Sequence, residues 1–143
     1  MNYIETGRIK IDKTILNNNR VAYHDPCNYG RKSEKLFGYG YYKEPRLVLD
    51  YCVPNWVDLY PSKDNQFCCG GGGGSLTTGY NKERIYYGRK KIEQFKASKA
   101  DLIVTPCHSC HGQFNNIKKE YKIEYLKIKY LWEIVADAII SKN

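Results

Sequence analysis

No stretch of the sequence approaches the roughly 20 consecutive apolar residues that a membrane-spanning helix needs. Direct membrane insertion is therefore not expected. The opening residues Met1-Asn2-Tyr3-Ile4-Glu5-Thr6 lack the basic, apolar and small-residue order of a secretory signal. A cytoplasmic, reducing compartment is the resulting expectation. There, six cysteines read as metal or redox chemistry, not as a framework of disulfides. Acidic residues are scarce: 15 Asp and Glu stand against 23 Lys and Arg, a net charge of +8. No recognition motif accompanies that charge, so nucleic acid is set aside as a partner, and a docking face for an acidic redox protein explains it as simply. The groups Arg89-Lys90-Lys91, Lys118-Lys119 and Lys127 with Lys129 are expected on solvent-facing sides of their elements. The glycine run from Gly70 to Gly74 continues as Ser75-Leu76, without the lysine that a phosphate-binding P-loop requires.

What the sequence does have is a pair of adjacent cysteines, Cys68-Cys69, set directly on those glycines. Core packing does not explain that arrangement. Cys27 lies upstream, and a C-x-x-C pair, Cys107 and Cys110, lies downstream. Thiolates are favoured ligands of iron–sulfur clusters and of structural zinc. Neighbouring side chains of an extended chain point to opposite sides, so both thiolates of a vicinal pair reach one tetrahedral ion only if the backbone bends. Reaching two different irons, or bridging them, is easier. Glycine admits positive φ and close approach of a ligand, and its bare N–H groups donate to sulfurs and stabilise a cluster's negative charge.

At 143 residues, 42% hydrophobic and 27% charged, the chain is long enough for one domain with a proper core. Residues 1–19 are polar, end in Asn17-Asn18-Asn19, and read as a lead-in or linker ahead of a domain over 20–143. A first strand is expected at Val21-Ala22-Tyr23, stopped by Pro26 just before Cys27. Asn28 to Tyr42, rich in glycine and tyrosine, reads as a long loop. A short helix follows, with Pro45 in its first turn and Leu47, Val48 and Tyr51 on one face. Trp56 to Tyr60 is a second strand, leading into the cysteine–glycine loop. Ile85, Ile92 and Phe95 place a helix over about Asn81 to Lys96. Leu102-Ile103-Val104 is a short apolar strand of the kind found inside parallel sheets. Cys107 opens a helix carrying Phe114, Ile117 and Tyr121. Leu126 and Ile128 alternate with lysines as an outer strand, and Leu131, Ile134, Val135, Ala138 and Ile139 form the stripe of a last helix. Strands alternating with helices predict an α/β fold: a small parallel sheet with helices on both faces. Functional loops of such sheets lie at the carboxyl ends of the strands, and all three cysteine segments follow predicted strands.

Other motifs carry less. Cys107-His108-Ser109-Cys110-His111 matches the C-x-x-C-H of covalent haem, but that reading leaves Cys27, Cys68 and Cys69 without a role. At a helix start the pair is better explained by amides that favour the thiolate. His24 either donates to the sulfurs or is a satisfied strand-end histidine. His108 and His111 read as neighbours of the site or surface residues, not as ligands. Cys52 reads as a buried free thiol. Arg31 and Arg46 read as surface arginines, with an anionic substrate or partner as the other option.

Taken together, His24-Asp25-Pro26-Cys27, Pro45-Arg46, Cys68-Cys69-Gly70 and Cys107-His108-Ser109-Cys110 resemble the cysteine-rich CCG domain of heterodisulfide reductase catalytic subunits and related iron–sulfur oxidoreductases. The resemblance covers about residues 20 to 140. The ending Thr105 to His111 looks most like subunits of sulfate-reducer membrane redox complexes. The resemblance implies a [4Fe–4S] site, cubane or noncubane, held by Cys27, Cys68, Cys69, Cys107 and Cys110. Cys68 and Cys69 would be its catalytic pair, with His24, Gly70, Gly71 and His108 around the sulfurs. It further implies cleavage of a disulfide, or its formation from thiols, by single-electron steps. Partner subunits are implied too: a second CCG domain, a ferredoxin-like module, and a membrane complex that would keep the chain at the inner face. One such domain alone is expected to show no turnover. Structural zinc, and an electron-transfer role in a lactate or glycerol-3-phosphate dehydrogenase-type complex, are the alternatives.

Overall fold

The computed structural model describes residues 1–140. Four strands, β1 (Val21–Tyr23), β2 (Trp56–Asp58), β3 (Leu102–Thr105) and β4 (Lys127–Tyr130), form one parallel sheet in the order β2-β1-β3-β4. The helices are α1 (Asn2–Glu5), α2 (Arg31–Phe37), α3 (Lys43–Cys52), α4 (Asn81–Tyr87), α5 (Arg89–Ser98), α6 (His108–Glu120) and α7 (Leu131–Ala138). The expected class, a small parallel α/β sheet with helices on both faces, is what the chain adopts.

The two faces can be read from strand alternation. Ala22 and Ile103 point into one layer with Ile92 and Phe95 of α5 and Phe114 and Ile117 of α6. Val21, Tyr23, Leu102 and Val104 point into the other, with Leu49 and Cys52 of α3 and Ile134 and Ala138 of α7. Side chains alternate because successive Cβ atoms leave a strand on opposite sides, and burial of both faces explains the apolar run of β3. Leu16 joins the second layer, and a bridge pairs Ile11 with Ile139, so part of the segment before β1 packs on this layer.

Three local expectations need correction. Asn28 to Tyr42 is not all loop: α2 occupies its centre and ends at Gly38. It buries only Ser33 and leaves Leu36 and Phe37 exposed, so no apolar stripe announces it. The centre of the α3 stripe is Pro45, Leu49 and Cys52; of the expected residues, Val48 and Tyr51 pack at its edge, partly buried, and Leu47 is not among them. The helix expected over Asn81 to Lys96 is two helices, broken at Gly88, a residue of low helix propensity.

The crossover from β1 to β2 carries α3 on one face. Those from β2 to β3 and from β3 to β4 carry α5 and α6 on the other. The chain therefore leaves the neighbouring strands β1 and β3 in opposite directions. Such a switch opens a crevice beyond their carboxyl ends, where ligands of open α/β sheets bind.

Candidate metal centre

Cys27 stands four residues beyond β1, and Cys107 two residues beyond β3 at the N-cap of α6. Both are half-buried at the switch crevice. Cys110, one turn into α6, is buried. The loop from β2 brings in Cys69, also buried, and Cys68, which is exposed. The vicinal pair thus divides between solvent and interior, as opposite-pointing neighbours should. The Cys110 thiol donates to the Cys69 sulfur across 3.3 Å. Cys27 interacts with Cys68, Cys68 with Cys69, and Cys107 with Cys110. The five thiols form one continuous run. Cys52, as expected, lies apart from them, buried among apolar side chains.

The charge along this run is uneven. Hydrogen bonds from the Cys27 and Cys69 thiols pull Cys68 down to about 2, helped by the Gly70 amide. The neighbouring Cys110 thiol, then the first amides of α6, pull Cys107 down to about 6. Cys27 is pushed up by its bond to Cys68 and by burial. Cys110 is pushed up by its bonds to Cys107 and Cys69. Cys69 rises to about 11: the Cys110 thiol, which donates to it, favours its thiolate, but its own bond to Cys68 and burial outweigh that. Five negative charges do not coexist here without a cation, because like charges at short range raise one another's pKa.

The glycines behave as their sequence position suggests. The Gly70 amide donates to the Cys68 sulfur at 3.4 Å and the Gly71 amide to the Cys69 sulfur at 3.3 Å. Gly70 has φ +85°, and a Cβ on Gly71 would meet Gln113 Cβ at 2.7 Å and the Ser109 carbonyl at 2.8 Å. Only bare backbone lies this close to the first turns of α6.

His24 is buried, with its ring edge-on to Phe114 at 4.9 Å. Its Nδ1 is 3.0 Å from the Lys91 ammonium, so Nδ1 accepts and the proton sits on Nε2. Burial first, then the charges of Lys91 and Arg31, hold the imidazole neutral. Nε2 has no partner among the described residues. A nitrogen of this ring, the Cys69 sulfur and the Cys110 sulfur all lie within 4.8 Å of one another. His108 adjoins Cys107 and its charge helps to lower that thiol, but its ring turns to Tyr130: its Nδ1 pairs with the Tyr130 hydroxyl at 2.5 Å, and His111 stacks on that tyrosine at 4.0 Å.

Three positioning residues were not recognised in the sequence. Arg46, expected at the surface, is largely buried, bidentate to Asp25 at 2.8 Å and paired with Asp58 at 2.6 Å. Asp25 also accepts the Lys63 amide at 2.7 Å. Arg46 therefore ties the end of β1 to β2 and to the loop that leads to Cys68. Arg31, one turn past Cys27, donates to the Asp64 and Gln66 carbonyls at 2.9 and 2.7 Å, fastening the Cys27 and Cys68 loops together. Lys91, expected in solvent, is fully buried. Pro45-Arg46, one of the motifs that carry the family resemblance, was the one available sequence signal for Arg46; for Lys91 there was none.

The donor set fits a thiophilic group: five sulfurs from three loops, amides already aimed at two of them, and a buried imidazole N–H without an acceptor.

Comparison with known proteins points the same way. The family model described as "CCG: Cysteine-rich domain" matches residues 21–115. A polypeptide of the dihydromethanophenazine:CoB–CoM heterodisulfide reductase of Methanosarcina barkeri is 29% identical over 95% of this chain and 31% of its own length. The Hdr-like menaquinol oxidoreductase iron-sulfur subunit 2 of Archaeoglobus fulgidus is 29% identical over 96% of this chain and 24% of its own length. The EtfAB:quinone oxidoreductase of Syntrophomonas wolfei is 29% identical over 75% of this chain and 15% of its own length. The chain thus spans about a third or less of each of these relatives. No solved structure matches it.

Proposed function

This chain belongs to the CCG cysteine-rich domain family, and on that premise we propose that it is an iron–sulfur domain of a heterodisulfide reductase-like oxidoreductase, passing single electrons to or from a disulfide or thiol partner. Cys27, Cys68, Cys69, Cys107 and Cys110 hold the group. A [4Fe–4S] cluster, cubane or noncubane, would supply one-electron steps and an affinity for sulfur. The observation that carries this reading is the single run of five thiols at the crevice between β1 and β3.

The chain's own residues divide the work. Cys68, exposed and already a thiolate, is the sulfur nearest an incoming substrate. Cys69 and Cys110 anchor the buried side. The Gly70 and Gly71 amides and His24 offer N–H groups to the sulfurs and so stabilise negative charge. Arg31 and Arg46 keep the Cys27 and Cys68 loops in register. Electrons and substrate come through partner subunits or domains of a longer assembly, consistent with the share of each relative that the chain spans. Among the described residues, no helix is long and apolar enough to cross a membrane, so attachment to one through that assembly is the reading we adopt.

A second reading is favoured by one observation: His24, Cys69 and Cys110 are spaced as three ligands of a structural zinc ion. Anaerobic iron and acid-labile sulfide analysis with visible spectra separates the two. About four irons and four sulfides per chain support the cluster; one zinc and no colour support the second reading. A disulfide-reduction assay on the complete assembly then separates disulfide chemistry from plain electron transfer.

A further inference from the structure

Lys91 is a cation that the fold has buried without giving it an anion. Its side chain runs from α5 into the layer formed by Ile92, Phe95 and Phe114 and is 0% exposed. Its ammonium meets two neutral acceptors, His24 Nδ1 at 3.0 Å and Gln94 Oε1 at 2.7 Å. None of the ion pairs among the described residues includes it. Asp25, the buried acid in this region, is already held by Arg46. A charge taken out of water and left unpaired is unfavourable, and methionine or leucine would fill the same space without that cost. Burial pulls the Lys91 ammonium down to about 8, and the groups whose ionised forms oppose that are, in order, Cys69, Cys110, Cys68 and Asp25, the first three of them thiolates once the site is loaded. The imidazole between the ammonium and the Cys69 and Cys110 sulfurs completes the path.

We propose that Lys91 is the built-in counter-charge of the five-cysteine site, a positioning residue that acts through His24 and raises the reduction potential of the group those cysteines hold. The inference rests on the iron–sulfur reading above. One electron added to such a group adds one negative charge at a place the ammonium's field reaches. A fixed positive charge stabilises the reduced state more than the oxidised one. The same charge favours the deprotonated thiols that metal binding requires.

The test is an EPR-monitored redox titration of anaerobically reconstituted protein, with chemical mediators supplying the electrons. It compares wild type, Lys91→Met, which keeps the volume and removes the charge, and Lys91→Arg, which keeps the charge. The ratio of reduced to oxidised cluster at a fixed potential should fall about tenfold in Lys91→Met, a 59 mV shift to more negative potential for a one-electron couple. Lys91→Arg should stay near wild type. Lys91→Gln repeats the charge deletion if the methionine protein is not recovered. Cluster assembly in the arginine but not the methionine protein also supports the inference. An unchanged potential in Lys91→Met or Lys91→Gln overturns it. So does loss of the cluster from both Lys91→Met and Lys91→Arg, which makes shape the requirement. A wild-type protein that takes up no iron and sulfide refutes the iron–sulfur reading itself, a result separate from either of these.

Discussion

Cys68 and Cys107 carry the negative charge of the metal-free thiol run, while Cys27, Cys69 and Cys110 keep their protons. Reactivity follows from the thiolate fraction and from access. Iodoacetamide at pH 5 should label exposed Cys68 first. Cys107 should join as the pH rises through about 6, and buried Cys69 and Cys110 should react only after unfolding, a sequence that peptide mass spectrometry reads directly. Uniform labelling of all five at pH 5 would contradict this charge pattern. Metal must also displace the remaining protons, so uptake should release acid and weaken as the pH falls. Metal-affinity measurements at pH 6 and pH 8 check the sign: binding should be weaker at pH 6. At this scale the sequence was most legible where residue type alone carries chemistry. The order C…CC…C-x-x-C named the five thiols before any fold was known. Lys91 and Arg46 were missed because a charged residue reads as exposed until its surroundings are seen.

α6 and the Arg46 clamp are the elements that set the site's shape. α6 presents Cys107 at its N-cap and Cys110 one turn later, and its buried Phe114 packs against both His24 and Phe95. Phe114→Ala should cost about 3–5 kcal/mol of stability in denaturant unfolding and free the His24 ring. Arg46 joins Asp25, Asp58 and the Tyr42 carbonyl. Arg46→Met leaves Asp25 as a buried charge without its partner, so a loss of about 3 kcal/mol is expected. In the same variant Cys27 should react faster with alkylating reagents, because the end of β1 just before it loses its tie to β2, while Arg31 still joins the Cys27 and Cys68 loops. A change below about 0.5 kcal/mol would place the clamp among exposed pairs of little consequence. Element positions were legible wherever an apolar period existed, as in β3 and α7. α2 was invisible because it buries almost nothing, and the break at Gly88 because apolar spacing continues across it.

The sheet order β2-β1-β3-β4 is what turns three distant sequence segments into one site. Only with β1 and β3 adjacent do Cys27 and Cys107 face the same crevice, with the β2 loop folding Cys68 and Cys69 in from the side. The sequence indicated strands alternating with helices and cysteines at strand ends. It did not indicate strand order, which depends on how the helices divide between the two faces. The most direct measurement is the iron and sulfide content and EPR spectrum of anaerobically reconstituted protein in six single Cys→Ser variants. Cys27, Cys68, Cys69, Cys107 and Cys110 should each, on replacement, lose or alter the cluster, while Cys52→Ser keeps the wild-type spectrum. Retention of an unaltered cluster after replacing Cys27 or Cys107, or its loss in Cys52→Ser, would contradict a single five-cysteine site at the β1–β3 crevice.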